Sequence, residues 1–315
     1  MMVSVSGGKD STATLLLALE RVPKDRIFPA FADTGNEHEI TYGYVRSLAK
    51  FTGLEVKWLR ADFSDWWWRR RDYVRDVWPT KVNLKNYPGW PNGVPAEVVA
   101  RVLAVFDKGP TGNPYLDLCI IKGRFPSRKA QFCTDELKKQ PLNKYTNELV
   151  IKHGKVESWQ GVRADESESR SKLTERETRE ELFEIYRPIL RWNVAQVFEQ
   201  HRKHGLEPNP LYKLGMGRVG CMPCINAAKD EVLGINQRFP DHIGRIQEWE
   251  TVVSEASKRG GATFFPSPED RGDGKIHGIR DRVEWSKTAR GGTNYDLFRS
   301  SEEVPSCASR YGLCE

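Results

Sequence analysis

A glycine-rich hexapeptide near the amino terminus, residues 6–11 (SGGKDS), has the residue types that bind phosphate. It follows a short apolar run at residues 3–5 and precedes the helix-like residues 12–17, which predicts a strand, a tight turn and a helix. Glycines let such a turn present successive backbone N–H groups, and the helix adds the positive end of its dipole. Lys9 supplies a cation, so the hexapeptide predicts a phosphate site.

A second candidate segment, residues 33–37 (DTGNE), directly follows a predicted strand at residues 27–32. Open parallel sheets bind ligands at the carboxyl ends of their strands, so Asp33 and Glu37 are expected at the same edge as the hexapeptide. The spacing within the hexapeptide excludes the Walker-type loop, which separates its first glycine from Gly-Lys-Ser/Thr by four residues. It also excludes the dinucleotide motif G-x-G-x-x-G.

The two segments together resemble the PP-loop ATP pyrophosphatase superfamily, whose members split ATP into AMP and pyrophosphate on an SGG-x-DS loop. The resemblance implies ATP and Mg²⁺ as ligands, with Lys9 and Asp10 as catalytic residues and Asp10 and Asp33 as magnesium ligands. It places Asp33 and Glu37 beside the nucleotide, as ribose or metal contacts. The implied nucleotide and pyrophosphate contacts in these segments are Ser6, Gly7, Gly8, Lys9, Asp10, Ser11, Asp33, Gly35 and Glu37.

Residues 161–170 (GVRADESESR) are similar to the G-x-R-x-x-E-S-x-S-R element of the phosphoadenylylsulfate (PAPS) reductase-like branch of that superfamily. Guanidinium groups bind phosphate oxygens in bidentate fashion, so Arg163 and Arg170 are candidate phosphate ligands, and Ser169 adds a hydroxyl. Gly161 joins the implied nucleotide site through the same element. The alternative is a solvated charged turn with no function.

Three further segments resemble that branch and occur in the same order along the chain: residues 187–192, 204–212 and 220–224. The resemblance therefore extends from residue 1 to about residue 235. Residues 133–141 (CTDELKKQP) are similar to a C-T-x-x-L-K-x-x-P stretch of this branch and of the DNA phosphorothioation ATP pyrophosphatases. This similarity implies that Lys138 faces phosphate. The chain therefore resembles the PAPS reductase-like branch, near the phosphorothioation enzymes.

Four cysteines have the spacing of a metal site: Cys221 and Cys224 in a C-x-x-C turn, and Cys307 and Cys314 in the tail. Four thiolates suit zinc or an iron–sulfur cluster. A thioredoxin-like redox pair is the alternative for one C-x-x-C, but it leaves the two tail cysteines unexplained. The resemblance to PP-loop sulfur enzymes favours a 4Fe-4S cluster over zinc.

Cys133 has three open interpretations: a substitute metal ligand, a nucleophile or persulfide carrier close to the nucleotide, or an inert core residue. The assimilatory sulfonucleotide reductases have a cysteine pair at this place, of which one member is present here. Cys119 lies in the apolar residues 116–121 and is predicted to be buried and structural.

An aromatic and basic segment at residues 65–78 predicts a helix with two different faces. On the opposite side from the predicted core, Trp68 lies with Arg71 and Arg75, which suits stacking on a base and contact with phosphates. The structural alternative is an exposed tryptophan covered by arginine stems. The predicted core face consists of Trp66, Trp67, Tyr73, Val74, Val77 and Trp78.

Composition predicts a soluble globular protein, with 38% hydrophobic and 29% charged residues among 315. Apolar stretches fall short of a membrane span, and the first predicted strand begins at residue 2 or 3, leaving no room for a signal peptide. We therefore expect a cytoplasmic protein with no membrane partner. The net charge of +6 fits a phosphate-rich partner without requiring one.

Strands and helices alternate in the first half, which predicts an α/β fold with a doubly wound, mostly parallel sheet and a helical, cysteine-bearing carboxyl-terminal part. Two domains are expected. Residues 1–235 form a PP-loop nucleotide-binding domain with an insertion at about 65–130, and residues 236–315 form an extension that completes the cysteine cluster. Helices are predicted at 11–20, 37–52, 96–107, 134–149, 192–204 and 240–258, and strands at 27–32, 55–59 and 156–161.

Three functions are open at this level. The first is an ATP pyrophosphatase that adenylates an oxygen of a nucleic acid or nucleotide and lets sulfur replace AMP. Its acceptor is a DNA backbone, a tRNA base or a small nucleotide, and a cysteine desulfurase is the expected sulfur donor. The second is a sulfonucleotide (PAPS or APS) reductase, although such enzymes as a rule lack the full SGGKDS loop and end in E-C-G-L-H, where this chain has YGLCE. The third is a non-catalytic nucleotide-binding regulator, which has no need of Lys9 and Asp10.

Overall fold

Alternating strands and helices make up the first part of the computed structural model, which describes residues 1–81, 90–180, 183–265, 278–288, 305 and 307–314. Six strands are present in the described residues: β1 Met2–Val5, β2 Phe28–Asp33, β3 Lys57–Arg60, β4 Val156–Trp159, β5 Arg176–Glu180 and β6 Phe183–Tyr186. They form one sheet in the order β3-β2-β1-β4-β6-β5. All neighbouring strands are parallel except β5, which runs antiparallel to β6.

Twelve α-helices accompany these strands in the described residues. The amino-terminal half contains α1 Lys9–Arg21, α2 Glu39–Thr52, α3 Ser64–Asp76, α4 Ala96–Phe106, α5 Pro114–Lys122, α6 Phe132–Thr134 and α7 Gln140–His153. The remainder contains α8 Glu168–Ser171, α9 Val194–Lys203, α10 Lys229–Arg238, α11 Pro240–Ala256 and α12 Ile279–Ser286. None of these helices has both the length and the apolar character needed to cross a bilayer.

Both faces of the sheet are covered, as a doubly wound fold requires. Successive side chains of a strand point to opposite faces. On β1, Val3 and Val5 pack in a cluster with Leu15 of α1 and Val197 of α9. Met2 belongs to a different cluster, with Leu149 of α7. The predicted α/β class with a mostly parallel sheet is therefore confirmed.

Two compact units divide the chain. The first consists of Met1–Arg60, Thr134–Met222 and Pro305–Glu315, and contains the whole sheet. The second consists of Ala61–Cys133 and Pro223–Val304. The predicted boundaries at 65–130 and 235 divide the chain differently, since the insertion and most of the extension share one unit. Residues 82–89 of that insertion, and 266–277 and 289–304 of the extension, lie outside the described residues.

Aromatic packing explains why the insertion and the extension form one unit. Tyr115 of α5 stacks on Trp249 of α11, with ring centroids 5.6 Å apart, and lies 6.1 Å from Phe264. Helix α5 is absent from the sequence prediction, because the Pro/Gly stretch at 109–114 is typical of a loop. Asn113 caps the helix by accepting a 3.1 Å hydrogen bond from the Leu116 N–H, and Pro114 occupies the first helical position, where proline is favoured.

The aromatic helix α3 only partly follows the predicted division into faces. Trp67 and Val74 are buried as expected, and the Trp67 indole N–H donates to the Phe106 carbonyl at 2.9 Å. The prediction that Trp66 lies in the core is wrong, because this residue is 37% exposed. The apolar face of α3 is therefore narrower than the sequence pattern indicates. Val77 is likewise exposed, which corrects its predicted core position.

Candidate functional site

The hexapeptide forms the turn between β1 and α1, at the carboxyl end of the central strand. Ser11 holds this turn closed: its hydroxyl accepts from the Ser6 N–H at 3.0 Å and donates to the Gly8 carbonyl at 3.1 Å. The first helical backbone bond runs from the Thr12 N–H to the Gly8 carbonyl. The Asp10 and Ser11 N–H groups lie in the first turn of the helix, the part of a helix where anions bind.

Two glycines of the predicted site lie so close to neighbouring atoms that a side chain would clash. Gly7 has φ +72°, in the region that favours glycine, and a Cβ there would lie 2.9 Å from Thr41 Cγ2. Gly161 follows β4, and a Cβ on this residue would lie 2.7 Å from the Asp10 carbonyl group and from Ser11 Cα. The backbone of residue 161 thus packs directly against the start of α1, which joins the two predicted segments.

Three side chains from residues 201–212 brace the turn. The Tyr212 hydroxyl accepts from the Lys9 N–H at 2.9 Å, and the Asn209 amide donates to the Gly7 carbonyl at 3.1 Å. The His201 Nε2 lies 2.9 Å from the Lys9 carbonyl. Burial lowers the pKa of His201, which favours the neutral ring donating Nε2–H to that carbonyl. The turn is thus fixed on both sides by side chains from one segment.

The Lys9 side chain is buried at the centre of this arrangement, with 5% of the residue exposed. Its ammonium group lies 2.8 Å from one carboxylate oxygen of Asp10, and 5.8 and 5.6 Å from the ring centroids of Tyr212 and Tyr311. The other Asp10 oxygen accepts from Arg163 Nε at 2.5 Å. One buried carboxylate is therefore shared by two buried cations, and a phosphate could replace it as the partner of Lys9.

The predicted arginines of residues 161–170 differ in their surroundings. Arg163 is buried and also contacts Asp165 at 2.6 Å, whereas Arg170 is more exposed and pairs with Glu166. Burial lowers the pKa of Arg170. Nearby Asp10 opposes this shift, while Arg218 and Arg163 add to it. Arg170 and Arg218 thus contribute positive charge to the same region as Lys9.

Ser169 and its neighbour Ser167 shape the turn that carries Arg170. The Ser167 hydroxyl caps α8 by accepting from the Arg170 N–H at 3.3 Å, and it lies 3.0 Å from the Ser169 hydroxyl. In the described residues Ser169 therefore contacts the cap. Its role as a phosphate ligand stays a prediction.

Asp33 ends β2 next to the hexapeptide strand and is enclosed by donors. Its Oδ1 accepts from the Gly35 N–H at 3.0 Å and from the Tyr42 hydroxyl at 2.8 Å, and its Oδ2 accepts from Arg60 at 2.9 Å. Burial is the main cause of a raised pKa at Tyr42, which keeps its hydroxyl protonated as a donor. Asp33 is thus held in a fixed orientation.

The Glu37 carboxylate accepts hydrogen bonds from its own segment and lies close to a cysteine. Its carboxylate accepts from the Thr34 hydroxyl at 2.7 Å and the Thr34 N–H at 3.1 Å. The Cys221 thiol lies 3.6 Å from Glu37 Oε1 and 3.5 Å from the Thr34 hydroxyl. A backbone bond from the Met222 N–H to the Asn36 carbonyl fixes this contact. Cys221 therefore lies beside the predicted ribose-contacting segment.

The carboxylates of Asp10 and Asp33 are chemically suited to Mg²⁺. Proteins usually bind Mg²⁺ through one or two carboxylates together with substrate phosphates. Each of their oxygens already accepts from a cation or an N–H or O–H donor, but a carboxylate oxygen has a second lone pair. The residues fit a magnesium ion that arrives with a nucleotide.

The tail cysteines have a different arrangement from the one predicted. Cys307 and Cys314 form a disulfide with each other, whereas Cys221 and Cys224 belong to no disulfide. A disulfide offers no thiolate, so this form does not fit a four-cysteine cluster. In the part of the chain that the structure describes, no group of three or more His, Cys, Asp or Glu residues is arranged to hold a metal. A metal on these cysteines stays a prediction for a reduced tail.

The tail packs on the hexapeptide site through Tyr311. Its hydroxyl donates to the Gly217 carbonyl at 2.6 Å, and its ring meets Tyr212 and Phe198 with centroids 5.7 and 5.3 Å away. The Ala308 N–H donates to the Lys213 carbonyl at 2.8 Å. Tyr311 therefore forms one wall around Lys9.

Several predicted site residues belong to the second unit, and one lies in a separate helical turn of the first unit. Cys133 is half-buried in the second unit, and its charge adds to burial in raising the pKa of fully buried Cys119. Lys138 lies in a π-helical turn, Asp135–Lys139, that leads into α7. The remaining members of the second unit are Cys224, Trp68, Arg71 and Arg75.

Some residues of the site have no assigned role at the sequence level. Asn209 and Tyr212 fall in a segment that carries the resemblance, but nothing in the sequence indicates that they brace the turn. Tyr42, Arg60 and Tyr311 have no sequence signal, since they are single polar residues brought in by tertiary packing.

Comparison with known proteins agrees with the segments identified. The family model described as the phosphoadenosine phosphosulfate reductase domain matches residues 1–84 and 121–227. The matched ranges contain the hexapeptide, residues 33–37, residues 161–170 and the bracing side chains. They exclude the tail.

Similar proteins include phage and bacterial relatives. The chain is 42% identical over 329 residues to an uncharacterised 37.8 kDa protein in the gpa 5' region of Escherichia phage 186, covering 100% of this chain and 96% of the relative. It is 37% identical over 123 residues to the phosphoadenosine 5'-phosphosulfate reductase of Photorhabdus laumondii, covering 39% of each chain. A crystal structure of PAPS reductase from Candida auris, in a phosphate complex, aligns with 71% of this chain and 82% of its own, at 15% identity and a TM-score of 0.40.

Proposed function

The chain belongs to the phosphoadenosine phosphosulfate reductase domain family, and on that premise we propose that it is an ATP pyrophosphatase that adenylates an oxygen of a nucleic acid for sulfur transfer. The observation that carries the proposal is the buried Lys9 ammonium within a complete SGGKDS turn. Burying a charged group is costly, and the single carboxylate of Asp10 is shared by Lys9 and Arg163. A protein that only binds a nucleotide gains little from burying Lys9 at this cost. An enzyme that must stabilise a leaving pyrophosphate gains directly.

In the proposed first step, an oxygen of the acceptor attacks the α-phosphorus of ATP. A bond forms between that oxygen and the α-phosphorus, and the bond from the α-phosphorus to the bridging oxygen of the β-phosphate breaks. Pyrophosphate leaves with the electron pair, and the acceptor carries AMP. Negative charge increases on the leaving group, so donors aimed at it lower the barrier.

Each group around the turn has a place in this step. The open first turn of α1 and the Lys9 ammonium bind the β- and γ-phosphates, and Arg163 and Arg170 neutralise the α-phosphate. Lys9 can exchange its Asp10 partner for a phosphate, because Arg163 remains bound to the other Asp10 oxygen. Asp10 would hold Mg²⁺ together with the phosphates, and the ion supplies further charge neutralisation to the leaving group.

In the proposed second step, a sulfide equivalent displaces AMP from the activated acceptor. A carbon– or phosphorus–sulfur bond forms, the bond to the AMP-bearing oxygen breaks, and AMP leaves. Cys133 is the candidate sulfur carrier, because it is a half-buried cysteine outside any disulfide and lies within the matched family region. A cysteine desulfurase is the proposed source of the sulfur, which it delivers to the Cys133 thiolate as a persulfide. The outer sulfur of the persulfide attacks the activated acceptor as AMP leaves. An external thiol reductant then cleaves the resulting disulfide, which releases the thiolated acceptor and regenerates the Cys133 thiol.

Sulfonucleotide reduction is the second candidate function, favoured by the names of relatives such as the Photorhabdus enzyme. A reductase of this kind uses a cysteine near the carboxyl terminus. Here the terminal cysteine, Cys314, is bonded to Cys307.

Product analysis separates the two functions. Purified protein is incubated with ATP, Mg²⁺ and single- or double-stranded nucleic acid, and AMP and pyrophosphate are quantified by chromatography. We expect pyrophosphate release that depends on nucleic acid and is lost in Lys9→Ala. Free AMP should reach the same amount only when sulfide is added, because without it AMP stays on the acceptor. Sulfite release from a sulfonucleotide with thioredoxin, in the absence of any pyrophosphate release from ATP, would establish the reductase instead.

A further inference from the structure

The second unit exposes aromatic rings with basic side chains placed over them. Trp66 is 37% exposed, and the Lys122 ammonium lies 5.0 Å from its ring centroid and 5.9 Å from that of Phe132. The Arg124 guanidinium lies 5.8 Å from the Phe132 ring, and Phe63 lies 5.7 Å from Trp66. We call these five residues the aromatic–basic surface: Phe63, Trp66, Lys122, Arg124 and Phe132.

Positive charge is concentrated in the chain segment that supplies most of this surface. Residues 118–134 contain two lysines and two arginines, and no aspartate or glutamate. Arg128 and Lys129, like Arg124, are exposed and form no ion pair within the described residues. Arg128 also adds to burial in lowering the pKa of Arg282, so positive charges lie close together here.

The surface predicted from sequence, around Trp68, differs because its arginines are paired with carboxylates. Arg71 pairs with Asp107 at 2.5 Å, and Arg75 pairs with Asp76 at 2.7 Å and with Asp72 at 3.0 Å. These carboxylates satisfy both arginines and would repel a phosphate backbone. The arginines beside Trp68 are therefore paired with carboxylates, whereas Arg124, Arg128 and Lys129 form no ion pair within the described residues.

We propose that the aromatic–basic surface binds single-stranded nucleic acid, with bases stacked on Trp66 and Phe132 and phosphates bound by Lys122 and Arg124. Exposed aromatic rings and basic side chains along one surface are the two elements of sequence-tolerant single-strand binding. A lysine or arginine on a flexible stem can leave a ring for a phosphate when a base takes its place. A duplex is disfavoured, because its bases are stacked on each other and present only their edges.

This inference deepens the proposed function and rests on it for the chemistry of the acceptor. It specifies that the acceptor is presented as a single strand or as unpaired nucleotides. Phe132 directly precedes Cys133, the candidate sulfur carrier, so a base stacked on Phe132 would place the acceptor strand in the neighbourhood of that thiol. Binding itself needs neither ATP nor the hexapeptide.

Fluorescence anisotropy tests the proposal without nucleotide. The probes are fluorescent oligothymidylate of about twelve nucleotides, the matching oligouridylate and a duplex of the same length, since single-strand sites span about 4–16 nucleotides. We expect the single strands to bind more tightly than the duplex and to quench tryptophan fluorescence. Trp66→Ala should weaken binding at least about fivefold. Lys122→Ala with Arg124→Ala should lower the slope of log affinity against log salt by about 1.4.

The matched control is the double variant Trp68→Ala, Arg71→Ala, which changes the same residue types on the other exposed face of α3. It should bind like wild type. Wild-type binding by Trp66→Ala, or a loss confined to the control variant, would overturn the proposal, as would tighter binding of the duplex. Thermal unfolding of each variant checks that the fold is kept, which is expected because Trp66 is exposed.

One further variant separates this proposal from the proposed function. Lys9→Ala should bind the oligonucleotide normally and release no pyrophosphate from ATP. If strands bind to the aromatic–basic surface but no protein form releases pyrophosphate, the surface stands and the enzymatic proposal fails. If pyrophosphate is released in a nucleic-acid-dependent reaction that Trp66→Ala leaves unchanged, the surface fails. The thymidylate and uridylate arms identify DNA or RNA as the preferred strand.

Discussion

Substituting Gly161 by alanine tests whether the close approach between β4 and α1 sets the phosphate site. A Cβ at this position would lie 2.7 Å from backbone atoms of Asp10 and Ser11, whereas ordinary contact begins at 3.4 Å. The two backbone segments must therefore move apart by the difference, about 0.7 Å. Overpacking of this kind costs about 1–3 kcal/mol of unfolding free energy. A displacement approaching 1 Å at a catalytic site can cost about a hundredfold in rate.

The expected result is a modest loss of stability and a larger loss of function. Urea denaturation should show the decrease in unfolding free energy, and nucleic-acid-dependent pyrophosphate release should fall about 10- to 100-fold in kcat/KM. Gly161 has no positive φ, so backbone strain does not confuse the comparison.

Gly43→Ala is the matched control for this experiment. Gly43 lies within α2, and a Cβ there meets nothing within 4 Å. Alanine should stabilise this helix by up to about 1 kcal/mol and leave activity unchanged. Wild-type ATP affinity and turnover in Gly161→Ala would refute the reasoning that the contact positions the site.

Three further predictions concern the residues around the turn. Tyr212→Phe leaves the Lys9 N–H without its hydroxyl acceptor and should lower the unfolding free energy by about 1–3 kcal/mol, measured in urea; unchanged stability would contradict this. Burial lowers the pKa of His201, so the unfolded chain takes up the proton first, and stability should be full above pH 6.5 and fall as the pH drops from there through the folded-state pKa. A thermal-shift series against pH should show this slope, and His201→Gln, which keeps an N–H donor, should flatten it. Thiol titration in denaturant should give four thiols before reduction and six after it; six without reduction would exclude the tail disulfide.

Local sequence patterns predict four of the six described strands and the glycine turn, because each depends on neighbouring residues, whereas β5 and β6 are absent from the prediction. The alternation of apolar strands and amphipathic helices locates β1, β2 and α1 to within a few residues. The glycine turn lies between a strand-like segment and a helix-like segment. The sequence therefore indicates both where the turn is and that it can bind phosphate. Gly7 confirms the reasoning with a positive φ that few other residues adopt.

Features that depend on contacts between distant residues are not readable in this way. The braces from His201, Asn209 and Tyr212 come from about 200 residues away in the chain. The aromatic–basic surface needs Trp66 near Lys122, a pairing that helical periodicity within α3 cannot show. The same periodicity wrongly places Trp66 in the core. The width of the face that a helix buries depends on the elements packed against it, which the periodicity does not show.

The charge available on Arg71 and Arg75 is overestimated from sequence for a similar reason. Sequence spacing places both beside Trp68, but their ion pairs involve Asp107 of a separate segment as well as acidic neighbours on α3. The tail disulfide likewise depends on the fold of residues 307–314, whereas the spacing of the four cysteines suggests a shared metal.

The most direct test of the central claim is calorimetric titration of the protein with inorganic pyrophosphate in the presence of Mg²⁺, with sulfate as competitor. We predict that pyrophosphate binds at one site, that Lys9→Ala abolishes the binding, and that sulfate competes weakly. Equal binding by wild type and Lys9→Ala, or a preference for sulfate over pyrophosphate, would contradict the claim that residues 6–11 hold the leaving pyrophosphate of ATP.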